Sequence, residues 1–104
     1  MSTADDLRGA VTRAILTGVS GTAAVDRQAA YDGSGPAGSA AYLDQVRFAA
    51  AGISDDDVGA LRAAGLDDDG IFELTVAAAV GHADRQRAAA EAALTEALAA
   101  SGGA

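Results

Sequence analysis

The stretch "IFELTVAAAVGHADRQR", residues 71–87, decides how the rest of the chain is read. From Ile71 to Val80 it is apolar nearly all round, with Glu73 and Thr75 as the exceptions. A helix apolar on every side is expected to be buried on every side. After Gly81 the pattern turns amphipathic. Ala83, Ala90, Leu94 and Leu98 hold one stripe, with Arg85, Arg87, Glu91 and Glu96 around it. The spacing therefore predicts a last, longest helix that reaches Ala99 unless Gly81 breaks or bends it. Its first half reads as a central core helix and its second as an outer or partner-facing one. The terminal "SGGA" reads as frayed.

Four further helices are expected upstream. The first runs from about Ala4 to Thr17, capped by Ser2 or Thr3. Asp5 and Asp6 sit at its positive end, and Leu7, Ala10, Val11, Ala14 and Ile15 form one face. A second, about Thr22 to Tyr31, carries Ala23, Val25, Ala29 and Ala30. "DGSGPAGS", residues 32–39, is the clearest break, with three glycines and the only proline. Ser39 then opens "AAYLDQVRFAAAG", with Tyr42, Leu43, Val46 and Ala49 or Ala50 inward and Gly52 as C-terminal cap. In "ISDDDVGALRAAG", Ser54 and Asp57 have the spacing of a shortened capping box; Val58, Leu61 and Ala64 face inward, and Gly65 ends the helix. The chain reads as one all-α domain, a bundle of about five helices. Residues 1–31 form the N-terminal helices, 32–39 a Gly/Pro loop and 40–100 the helical core.

The composition narrows the function classes. The chain has 104 residues, half of them hydrophobic but only 4% aromatic. Alanine forms helix readily but buries little area, so an Ala-rich core needs close helix approach and favours self-association. The formal charge is −8, and all seven basic residues are Arg with no cluster among them. Nucleic acid and anionic membranes are therefore poor partners. The longest strongly apolar run, Val76 to Val80, is too short to span a bilayer, and the acidic start lacks the features of a signal peptide. A cytoplasmic protein is expected. With no Cys, the chain has no disulfide, thiolate metal site or thiol redox chemistry of its own.

Three motifs tempt and fail. Gly33, Gly35 and Gly38 match G-x-G-x-x-G, but a helical pattern precedes them where a dinucleotide site needs a strand. "DDDG" at 67–70 suggests a calcium loop, yet the register puts Gly65 and Val76 where carboxylates are required. The acidic triplets 55–57 and 67–69 are better read as helix N-termini. A single His without other spaced ligands does not make a metal site. No metal and no cofactor is expected.

Candidate acid–base residues are Glu73, His82, Tyr42 and Arg47. Glu73 lies one turn into the most apolar helix, where burial raises a carboxyl pKa. Its plainer reading is a first-turn Glu stabilised by the helix dipole. His82 follows nine residues on, about 900° round and roughly 13 Å along a straight helix, on the opposite face. The two can meet only across a subunit boundary or through a break at Gly81. For His82 the plainer role is a core-edge residue paired with Asp84, Gln86 or a neighbouring chain. Tyr42 and Arg47 offer a hydroxyl and a cation; Tyr42 also reads as core with its hydroxyl satisfied.

"YLDQV", then "DDDVGALRAAGLDDDGIFEL", then an Ala-rich helix resemble the C-terminal part of the carboxymuconolactone decarboxylase and alkylhydroperoxidase D-like family. The likeness covers about half the chain. It implies an alkylhydroperoxidase D-like all-α bundle that assembles into trimers or hexamers. The family's peroxidase members carry a C-x-x-C pair with a following His and a preceding Glu. None of that motif stands here, so no redox role carries over, and His82 is not that motif's His. Two readings follow. One is a non-redox helical subunit of a homo-oligomer, or of a hetero-oligomer with a Cys-bearing sibling. The other is a small acid–base enzyme, decarboxylase-, isomerase- or lyase-like, binding a small molecule in a pocket between subunits.

Overall fold

In the computed structural model, residues 3–17, 22–36 and 38–102 are described. They form five α-helices and no strand: α1 (Thr3–Thr17), α2 (Ala24–Asp32), α3 (Ala40–Phe48), α4 (Asp55–Ala63) and α5 (Asp68–Gly102). A single 3-10 turn, Ala50–Gly52, follows α3.

Helix α5 organises the molecule, and α2 packs along it more extensively than any other element. Ala30 of α2, Leu43 of α3 and Leu74, Ala77 and Ala78 of α5 make the core, with Ile15, Tyr42, Val46 and Leu66 packed against it. The residues are small, so the helices come close. At Gly81 the approach is closest: a Cβ there would collide with the Tyr31 carbonyl of α2. Gly81 therefore neither breaks nor ends α5, which runs unbroken for 35 residues. Its glycine is a contact point.

Charged side chains of α5 and α3 hold both ends of α2. At the N-terminal end, Glu73 accepts hydrogen bonds from the Thr22 amide at 3.3 Å and the Thr22 hydroxyl at 2.7 Å. Arg27, buried in α2, donates to the carbonyls of Thr22 (2.5 Å) and Leu16 (3.1 Å) and lies 4.0 Å from Glu73. At the C-terminal end, the Arg47 guanidinium donates to the carbonyls of Ala30 (2.8 Å) and Ser34 (2.7 Å), and Arg85 donates to that of Tyr31. A carboxylate thus stands at the positive end of α2 and two guanidiniums at its negative end. Gly33, in the left-handed region at φ 111°, closes the helix.

Other local expectations meet mixed outcomes. Ser54 and Asp57 form the capping box, and Gly65 has a φ of 101°. Ser39 does not cap α3 through its side chain; its buried hydroxyl donates to the Pro36 carbonyl at 2.6 Å. Leu43 and Leu61 are buried as expected, but Ala49, Ala50 and Ala64 are exposed. Val25 points to solvent while Arg27, two residues on, is buried. On α1 the expected inward face is only partly covered, with Ile15 against the core and Leu7 and Val11 exposed.

The expectation that residues 71–80 are covered on all sides is also corrected. Ile71, Leu74, Ala77 and Ala78 are buried, but Phe72 is 67% exposed and Ala79 is exposed. The core lies on one side of α5. From residue 88 to residue 102 every position is exposed, as the helix leaves the body. The shape records this. The radius of gyration is 16.5 Å and the extents 58 × 29 × 19 Å, where a compact chain of this length has a radius of about 13 Å.

Candidate functional site

The four candidate acid–base residues do not converge: Glu73 lies on one flank of α5, Tyr42 and His82 lie two turns apart on another, and Arg47 belongs to α3. Glu73 faces the start of α2, holding Thr22 near Arg27. Tyr42 faces the flank of Thr75, two residues from Glu73 and so about 200° away round the helix. The Tyr42 and Thr75 hydroxyls are 2.8 Å apart, and Thr75 in turn donates to the Ile71 carbonyl at 2.7 Å. With the Thr75 proton committed there, Tyr42 is the donor of that pair. Arg47 is buried under α2, bonded to Asp44 at 2.9 Å as well as to the two carbonyls. His82 packs its ring edge-on to Phe48, centroids 5.1 Å apart at 78°. Within one chain these groups do not share a cleft.

Asp84, expected as a partner of His82, is engaged elsewhere. It accepts from the Tyr31 hydroxyl at 2.6 Å and from Thr12 at 3.5 Å, with Arg87 at 3.7 Å. This junction joins α1, α2 and α5. The bond to Asp84 and partial burial push the Tyr31 pKa above its ordinary 10.0. An open cleft of about 510 Å³ lies beside it, lined by Asp5, Arg8, Thr12, Arg13, Tyr31, Asp84 and Arg87. Its cations and carboxylates are interleaved: Arg8 pairs with Asp5, and Arg87 with Asp84 and Glu91. Such a lining neutralises itself instead of presenting one sign of charge to a ligand. Among the described residues, no three His, Asp or Glu side chains gather to hold a metal ion.

The feature left without an intramolecular explanation is apolar. At about 100° per residue, Phe72, Val76, Ala79, Ala83, Ala90, Leu94 and Leu98 fall within roughly 100° of the α5 circumference. The buried residues Ile71, Leu74, Ala77, Ala78 and Gly81 lie on the opposite side. Phe72, Leu94 and Leu98 are 67%, 59% and 62% exposed. Exposed Leu7 and Val11 of α1 flank this face on one side and exposed Phe48 on the other. Between α3, α4 and α5, a shallow groove of about 250 Å³ opens beside Phe72, with Tyr42, Val58, Ile71 and Thr75 in its walls. The second half of this stripe is legible in the sequence. Its first half is hidden there, because residues 71–80 are apolar in every direction and only the packing shows which side is left over.

The burial of Arg27 and Arg47 carries a signal in the pattern: Arg27 lies three residues before Ala30 and Arg47 four after Leu43, each on an inward face. Among the described residues, no helix is long and apolar enough to cross a membrane. Comparison of the chain with protein-family models, with curated proteins and with solved structures gives no match.

Proposed function

We propose that the chain is a non-redox, self-associating helical subunit that uses the outer face of α5 to assemble. The observation that carries this reading is the apolar stripe from Phe72 to Leu98, interrupted at Arg87, on the side of α5 that faces away from the core. An apolar face of this length on a soluble chain marks an interaction surface. The stripe also runs on through residues 88–102, which are all exposed and whose only charged groups are Glu91 and Glu96. A tail of about four helical turns, Ala-rich and unpacked, is only marginally stable alone and gains from a partner helix.

The resemblance to carboxymuconolactone decarboxylase and alkylhydroperoxidase D-like proteins supports the same reading, since that family's bundles assemble. A Cys-bearing sibling is the second partner this resemblance suggests. The acid–base alternative draws less support. Glu73 and Arg47 direct their charged groups at the ends of α2, where they brace the fold, and His82 meets a phenyl ring.

Sedimentation or light scattering at tens of micromolar tests the proposal. The wild-type chain is expected to associate, and Leu94→Glu combined with Leu98→Glu to give monomers that still melt cooperatively. A wild-type monomer at that concentration overturns it.

A further inference from the structure

Phe72, Ala83 and Leu94 are spaced eleven residues apart. Eleven residues close three turns at about 3.67 per turn, so the three positions drift little round the helix. The stripe also has a centre. Large side chains stand toward its two ends, Phe72 on the body and Leu94 and Leu98 on the tail, with Ala79 and Ala83 between them. An isologous pair requires a surface complementary to itself under a two-fold rotation, and this arrangement has that form.

We propose that a second copy of this chain pairs antiparallel along α5, with the two-fold axis beside Ala83. Leu94 of each copy then meets Phe72 of the other. This rests on the self-association proposed above and specifies its geometry. Rotation about Ala83 sets Phe72 opposite Leu94 of the second copy, Val76 opposite Ala90 and Ala79 opposite Arg87. Small Ala79 and Ala83 let the two helices approach at the centre.

Two physical arguments favour this occupant and direction. The accessible surface is 6445 Å², where a compact monomer of this size exposes roughly 5,300 Å². The excess, roughly 1,100 Å², exceeds the roughly 800 Å² that each partner contributes to a standard specific interface. The second argument is Arg87, which interrupts the stripe between Ala83 and Ala90. A parallel pair in register would set Arg87 against Arg87. The antiparallel pair sets Arg87 over Ala79, where its stem can lie along a small residue with the guanidinium in water.

The natural absence of Cys makes the test direct. Val76→Cys and Ala90→Cys are made as separate single variants, each checked for wild-type sedimentation, then mixed in equal amounts and mildly oxidised. The expected result is a mixed disulfide between the two variants, several-fold in excess of either self-linked species by mass spectrometry. Strong self-linking of Ala90→Cys would indicate parallel pairing and overturn this geometry while leaving self-association intact. Dimers that form no disulfide in the mixture would place the interface on another face, or on another partner's, and also overturn it. Monomeric wild-type chain overturns both proposals.

Discussion

Replacing Gly81 by Ala sets two opposing effects against each other. In an exposed helix interior the change would stabilise α5 by about 1 kcal/mol, because Gly is a poor helix former. Here the added methyl collides with the backbone carbonyl of Tyr31, which cannot swing aside as a side-chain tip can. Helix α2 must back away from α5. Overpacking of this kind costs about 1–3 kcal/mol, and loosening the Arg85 bond to the Tyr31 carbonyl threatens about 1.5–3 kcal/mol more. Net destabilisation of roughly 2–4 kcal/mol is expected, a fall in Tm of on the order of 10 °C or more for a domain of this size. Gly59→Ala in α4 is the control: a Cβ there meets nothing within 4 Å, so that variant should gain up to about 1 kcal/mol. Thermal and urea melts at one fixed protein concentration compare the three proteins. A Gly81→Ala variant as stable as the wild type would refute the close approach of α2 to α5.

Leu74, 2% exposed in the core, should cost roughly 2–5 kcal/mol on truncation to Ala, whereas His82→Gln should cost on the order of 1 kcal/mol; equal small losses in thermal melts would deny α5 its central place. Tyr31 holds its proton more tightly in the folded chain than its ordinary 10.0, so its contribution is intact below about pH 10 and lost as pH rises through the folded value. Tyr31→Phe should therefore flatten the alkaline loss of stability seen in pH-dependent melts, and an unchanged profile would count against the Asp84 bond. With no thiolate to attack a peroxide, the purified protein should not reduce hydroperoxides with dithiol donors; turnover above background without added metal or haem would show that reasoning to be wrong.

What the sequence makes legible is local. The Ser54–Asp57 box, the left-handed Gly65 and the extent of α5 each follow from residues within a turn or two of one another. What it hides is long-range. Charge argues for exposure, and the helix ends that need the donors of Arg27 and Arg47 are placed beside them only by the fold. The same holds for the candidate site. Glu73 reads as a first-turn Glu favoured by the dipole, or as a buried acid, because its partner, Thr22, lies 51 residues away in sequence. Val25 and the outer face of α1 show the converse, since apolar residues in a small chain outnumber the places available to bury them.

The bracing of α2 has a consequence for how the chain finds its topology. Two helices lying side by side in the same direction set like ends of their dipoles together, an arrangement their own electrostatics oppose. Glu73 and Arg85, twelve residues apart on α5, present an acid and then a base to α2 in the order that its parallel orientation needs. Were α2 to dock reversed, Glu73 would meet carbonyl oxygens and Arg85 would meet amide protons, both repulsive. The pair therefore acts as a polarity key, rejecting the antiparallel docking of α2 that an alanine-lined groove, nearly blind to direction, would otherwise accept.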